Sequence, residues 1–78
     1  MLQQPNEGNH MINVELFSQG EKLSMLQTPE VPATGDLIVI EHAERRAQWE
    51  VSDSPAAYVF TSDGTLDRVQ LEVEPWEG

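Results

Sequence analysis

The stretch Leu66 to Glu74, which reads LDRVQLEVE, alternates apolar and polar side chains over most of its length. Its apolar members are Val69, Leu71 and Val73, and its polar members are Arg68, Gln70, Glu72 and Glu74. Because successive side chains of a strand point to opposite faces, this period of two predicts a strand with one buried face. Pro75 then ends the strand.

Shorter strand patterns come before this stretch. They cover residues 12–16, 22–27, 37–40, 48–51 and 57–61, and turn-forming residues separate them at 18–21, 28–36, 52–55 and 62–65. In the second strand we expect Leu23 and Met25 to point inward, and Asp63-Gly64 should form a hairpin turn. The predicted core is Val14, Leu16, Leu23, Val39, Trp49, Val51, Val69, Leu71 and Val73. Short strands with regularly spaced turns are typical of a small barrel or of two packed sheets.

Residues 41–48, EHAERRAQ, are compatible with three structures. They contain good helix formers, they lack a capping residue and a clear apolar stripe, and they could also extend a strand into a hairpin. A helix this short is marginal in water, so the sequence favours an exposed loop.

Composition excludes several classes of function. The 78 residues include 14 acidic and 4 basic ones, for a net charge of −10, and no cysteine. Disulfides, thiolate zinc sites and cysteine nucleophiles are therefore excluded, and direct binding to nucleic acid or to an anionic membrane is disfavoured. We expect a flexible tail over residues 1–10 and one domain over residues 11–78. We also expect a cytoplasmic location, because no secretion signal or spanning segment is readable.

No motif for catalysis or metal binding is complete. The chain has no G-x-S-x-G elbow, and a calcium loop around Gly64 would need carboxylates where Val59 and Gln70 stand. His42-Ala43-Glu44 lacks the cysteines of a zinc-deaminase site. We therefore expect no catalytic residue, no metal and no cofactor, and we predict that the protein is not an enzyme.

Three segments, VPATGDLIVI, WEV and VQLEVEP, together resemble small SH3-like β-barrel proteins encoded by bacteria and phages. The resemblance covers residues 31–75. It implies an all-β, antiparallel SH3-like barrel of five to six short strands, and it implies a fold more than a function, since many such proteins have no assigned activity.

The leading hypothesis is non-covalent binding of a protein partner, as a small adaptor or structural component of phage or mobile-element origin. Trp76 lies beyond Pro75, where it either folds back over one end of the barrel or anchors another chain. Phe17 and Tyr58 are the other candidate apolar contacts. An exposed edge strand also leaves a homodimer open.

A second hypothesis rests on charge. Glu72 and Glu74 project from one face of the last strand, about 6.7 Å apart. Such a face could imitate a phosphate backbone, so the protein would inhibit a basic nucleic-acid-binding or defence protein. The alternative is that the acidic residues have no role in binding and only keep the chain soluble.

Overall fold

In a computed structural model, described for residues 10–42 and 44–77, all regular structure is β-strand. The six strands are β1 (Ile12–Ser18), β2 (Glu21–Thr28), β3 (Leu37–His42), β4 (Arg45–Val51), β5 (Ala57–Phe60) and β6 (Leu66–Pro75). The all-β class predicted from the sequence is confirmed. Of the expected flexible tail, residues 1–9 lie outside the described residues.

β6 is the central strand of the sheet, because it pairs with β1, β4 and β5. The strand order is β2-β1-β6-β4-β3, with β5 also paired to β6, and the sheet curls into a half-barrel. β4 and β5 run antiparallel to β6, but β1 runs parallel to it, with Val14 opposite Val69 and Leu16 opposite Leu71. The expectation of a wholly antiparallel sheet is therefore wrong. Turn residues indicate which neighbouring strands form hairpins, whereas the docking of two hairpins follows from matching their apolar faces, here Val14 and Leu16 against Val69 and Leu71.

The core lies on the inner, concave face of the curled sheet. Its buried members are Val14, Leu16, Ile38, Val51, Val69, Leu71 and Val73. Leu23 and Trp49 are half-buried against this cluster, so most of the predicted core is confirmed. The exception is Val39, which is 40% exposed, while its neighbour Ile38 is 9% exposed.

The misassigned face of β3 has a simple cause. Its apolar run, residues 37–40, contains no polar residue that marks the outward side. The pairing with β4 sets the phase instead, because Ile38 lies opposite Trp49 and Trp49 shares the inner face with Val51. Val39 consequently points outward.

Residues 41–42 and 45–48 belong to strands and Glu44 lies in the turn between them, so the favoured loop is wrong. β3 continues to His42 and β4 begins at Arg45, with Glu41 opposite Arg46 and Ile40 opposite Ala47. The ladder of a hairpin stabilises these residues whatever their intrinsic helix propensity, because sheet pairing depends strongly on context.

A β-bulge explains the broken alternation in β2. Leu16 pairs with Ser24 and Phe17 pairs with Lys22, which leaves Leu23 as the extra residue. An extra residue shifts the phase of the strand, so Leu23 and Leu26 both pack against the core. Met25 is exposed, which corrects the expectation that it points inward.

The tight turns agree with the sequence. Gln19 and Gly20 form a two-residue turn with φ of 56° and 82°, the left-handed values that a type I′ hairpin requires. At the β5–β6 hairpin, Thr61 N donates to Thr65 O at 2.8 Å and Gly64 N donates to Thr61 O at 3.0 Å. The Asp63-Gly64 hairpin is therefore confirmed.

Candidate functional site

The outer face of the sheet carries most of the side chains that the sequence singled out. Leu71 and Val73 are buried on the inner face, so Glu72 and Glu74 point outward between and beyond them. Phe17 lies opposite Glu72 in the parallel pair and is half-buried on the same outer face.

Trp76 also belongs to the outer face. Its backbone N donates to Gln48 O at 3.0 Å, so the pairing of β4 with β6 continues one residue beyond Pro75. By alternation from Val73, the Trp76 side chain lies outward, next to Gln48 in the cross-strand row. Gln48 in turn lies opposite Val39. Val39, Gln48 and Trp76 therefore form one row across three strands, and Trp76 is half-buried there.

The neighbouring row adds charge to this surface. Glu50 lies opposite both Leu37 on β3 and Glu74 on β6. Leu37 is exposed, as are both glutamates. We call the group Leu37, Val39, Glu50, Glu74 and Trp76 the outer patch. It combines three apolar side chains with two carboxylates on one side of the sheet.

The electrostatics of the outer patch are negative. Glu50 and Glu74 are directly opposite one another, an arrangement that destabilises a sheet. Three of the four basic residues make ion pairs with other carboxylates: Lys22 and Arg68 pair with Glu15, and Arg46 pairs with Glu41 in the row next to Val39 and Gln48. The two glutamates are therefore suited to pair with a basic side chain of another protein.

A buried carboxylate that no sequence pattern predicts lies at the other end of the outer face. Glu15 is only 8% exposed. Gln70 Nε2 and Arg68 Nε each donate to its Oε1 at 3.0 Å, and Lys22 Nζ lies 3.1 Å from its Oε2. The hydrogen bond from Gln70, followed by the contacts with Lys22 and Arg68, lowers the pKa of Glu15 below its ordinary value. These four side chains, which we call the Glu15 cluster, join β1, β2 and β6.

No pattern along the chain predicts the Glu15 cluster. Glu15 occupies the polar position of an alternating strand, as any exposed residue would. The one signal was indirect, because Lys22 and Arg68 are half of the basic residues in a strongly acidic chain.

Asp63 has a local structural role. It accepts hydrogen bonds from the Thr61 hydroxyl and from the Thr65 backbone N, which lower its pKa. Both contacts lie within the β5–β6 turn, so this carboxylate stabilises the hairpin that it helps to form.

Tyr58 lies apart from the outer patch. It is opposite Val69, which is buried on the inner face, yet Tyr58 is 54% exposed because β5 lies at the margin of the half-barrel. Phe60, two residues along the same strand, is 57% exposed. A cleft of about 440 Å³ runs beside Tyr58, between β5 and residues 31–34.

The structure thus divides the five candidate contacts into two groups. Trp76 and Glu74 lie in the outer patch, and Glu72 and Phe17 continue from it along the outer face. Glu72 is partly engaged, since its Oε2 accepts a hydrogen bond from Gln19 N at 3.0 Å. Tyr58 forms a separate surface with Phe60, a residue that sequence reasoning did not select.

The serines near Asp53 hold a turn. Ser52 Oγ donates to Glu72 O at 3.2 Å and accepts from Ser54 N at 3.3 Å. Within residues 10–42 and 44–77, no three His, Cys, Asp or Glu side chains are grouped so that they could hold a metal ion. The same part of the chain contains no helix of the length and apolarity needed to cross a membrane.

Comparison of the chain with protein-family models, with curated proteins and with solved structures finds no match. The geometry of its surfaces is therefore the basis for assigning a function.

Proposed function

We propose that the protein is a non-enzymatic binding module whose outer patch docks onto a protein partner. It would serve as a small adaptor or structural component. An SH3-like barrel family and a phage or mobile-element origin belong to the same proposal, and they rest on the sequence resemblance alone. A cytoplasmic location is also part of it and rests on the lack of a readable secretion signal or spanning segment in the sequence.

The observation that carries the proposal is the row of Val39, Gln48 and Trp76 beside the row of Leu37, Glu50 and Glu74. Tryptophan is among the residues that most often dominate binding energy at protein interfaces. Here it lies on the outer face with exposed aliphatic neighbours rather than in the core cluster.

The chemistry of the patch indicates the chemistry of its partner. An apolar surface that contains Val39 and Trp76 would bury matching apolar side chains. Glu50 and Glu74 would then pair with lysine or arginine at the rim, where opposite charge raises the association rate more than the affinity. The partner we expect is a protein with an apolar contact surface flanked by basic residues.

The test is affinity capture from a lysate of the cells that encode the protein. The immobilised chain is washed at about 0.05 M and then at about 0.5 M salt, because screening removes contacts that depend on exposed charge. We expect a specific partner to remain bound at the higher salt. Replacement of the central aromatic, Trp76→Ala, should weaken the purified complex about tenfold or more.

Tyr58→Ala is the matched control, because it removes an exposed aromatic ring on the opposite face of the sheet. It should leave affinity for the partner unchanged. A Trp76→Ala protein that is folded, as shown by its urea unfolding transition, and that binds as tightly as the parent would contradict the proposal.

One observation favours a second function. Glu50 and Glu74 face one another at a cost in stability, and Asp53 lies beside the same surface. Acidic residues held together in this way could imitate the phosphates of a nucleic acid, so the chain would inhibit a basic nucleic-acid-binding or defence protein.

Salt and charge variants separate the two functions. A mimic should release its target in the wash at about 0.5 M salt, and a double variant, Glu50→Gln with Glu74→Gln, should slow association markedly. Under the adaptor proposal the same double variant lowers the association rate only modestly, whereas Trp76→Ala speeds dissociation.

A further inference from the structure

β5 is a short edge strand. Among the described residues, the only strand it contacts is β6, so its other edge is unpaired. An unpaired edge presents backbone N–H and C=O groups that can pair with another strand.

β5 also lacks the charged residues that usually protect an edge. Residues 54–62, SPAAYVFTS, contain no charged side chain in a chain of net charge −10. β2 and β3, which stand at the two ends of the strand order, carry charge at Glu21, Lys22 and Glu41. Charges of that kind oppose pairing between edges.

The direction of the free backbone groups follows from the hairpin. Thr61 N donates to Thr65 O at 2.8 Å, so the backbone groups of Thr61 point toward β6. Since these groups alternate along an antiparallel strand, those of Val59 also point toward β6, and those of Tyr58 and Phe60 point to the free edge.

We propose that β5 pairs antiparallel with β5 of a second copy of this chain, about a two-fold axis at Val59. Residue 58 of one copy then lies opposite residue 60 of the other, and these are the positions whose backbone groups face outward. Each such pair exchanges two backbone hydrogen bonds. The register that pairs the outward-facing N–H and C=O groups of β5 is therefore also the one that two-fold symmetry requires.

The same register joins the exposed aromatic rings. Tyr58 and Phe60 lie on one side of β5, and in the pair each meets the other residue type from the second copy. Directly opposite aromatic side chains stabilise antiparallel pairs, and aromatic rings bury large areas. Four rings that are each more than half exposed would cover one another.

Net charge opposes this association. Two copies at −10 repel each other, and the repulsion is long-ranged only at low ionic strength. Salt should therefore strengthen the dimer. This is the reverse of the effect expected for a complex held by ion pairs.

The test is sedimentation of the full chain over a range of concentrations up to about 1 mM, at about 0.05 M and about 0.5 M NaCl. We expect a monomer–dimer equilibrium whose dissociation constant falls about tenfold or more at the higher salt. The amides of Tyr58 and Phe60 should exchange with solvent more slowly as the dimer forms.

Two variants with the same change in charge provide the control. Tyr58→Glu places a charge at the proposed interface and should abolish the dimer, whereas Val39→Glu, an exposed position on β3, should dimerise like the parent after a small correction for charge. The same two variants keep this inference separate from the proposed function, because only Val39→Glu should lose the binding partner.

Three results would overturn the inference. One is a chain that stays monomeric at both salt concentrations, and another is a dimer that weakens as salt is added. The third is a dimer that Tyr58→Glu leaves intact, since that dimer would use a different surface.

Discussion

At the scale of single residues, Glu15 shows how one side chain can connect three strands. It lies on the outer face of β1, opposite Met25 on β2 and Gln70 on β6. Lys22 and Arg68 approach it from those same two strands. A carboxylate this well covered depends on its partners, because a charge without them would be costly to bury.

The Glu15 cluster predicts a pH dependence of stability. Its partners lower the pKa of Glu15 below the ordinary value of 4.5, so the stabilisation is fully present above that pH and is lost as pH falls through the folded-state pKa. Urea unfolding measured at about pH 7, 5, 4 and 3 should show the loss below about pH 4.5. A Glu15→Gln variant should be less stable at neutral pH and should lose less stability on acidification.

Glu21→Gln, at an exposed position on β2, makes the same change in charge and is the control for this measurement. It should keep the parent's dependence on pH. If Glu15→Gln and Glu21→Gln lose the same amount of stability on acidification, the Glu15 cluster does not contribute the expected stabilisation.

At the scale of elements, the strands differ in how well their inward faces can be read. β1 and β6 alternate apolar and polar residues, so Val14, Leu16 and the apolar face of β6 are predictable from the sequence. β3 is apolar at every position from 37 to 40, and only its pairing with β4 decides that Ile38 is buried.

The phase of β3 gives a prediction in which the smaller change has the larger effect. Ile38→Val removes one methylene group from the core and should cost about 1 kcal/mol of the free energy of unfolding. Val39→Ala removes two methyl groups from an exposed side chain and should cost less than about 0.5 kcal/mol. Urea unfolding of the two variants beside the parent measures both, and the reverse order would place Val39 in the core.

The candidate site is only partly predictable for a related reason. The position of Trp76 beyond Pro75 already marks it as a residue without a required place in the core. The contribution of Leu37 and Val39 to the same surface depends on the register of β3, β4 and β6. Pairings between strands distant in sequence leave little trace in local patterns, and this is also why the parallel pairing of β1 with β6 is not anticipated.

At the scale of the whole molecule, the net charge of −10 acts on a small fold with few cations. The Glu15 cluster engages two of those cations internally, so the remaining surface is more uniformly negative than the composition alone implies. Repulsion among like charges destabilises the compact state.

Salt should therefore stabilise the folded chain. At a concentration where the protein is monomeric, raising NaCl from about 0.05 M to about 0.5 M should increase the free energy of unfolding by about 1 kcal/mol. Screening reduces the repulsion at exposed pairs such as Glu50 and Glu74 more than it weakens the buried Glu15 contacts. A Glu50→Gln variant should respond less to salt, and a parent chain destabilised by NaCl would contradict this account.

The central place of β6 has a consequence for biosynthesis. The strand that pairs with β1, β4 and β5 is the last of the six to leave the ribosome. Until residues 66–75 emerge, β1 and β2 can form only an isolated hairpin, and such a hairpin is marginally stable in water. Until then the nascent chain leaves the apolar side chains of Val14, Leu16 and Ile38 uncovered, and chaperones that hold nascent chains can bind it there.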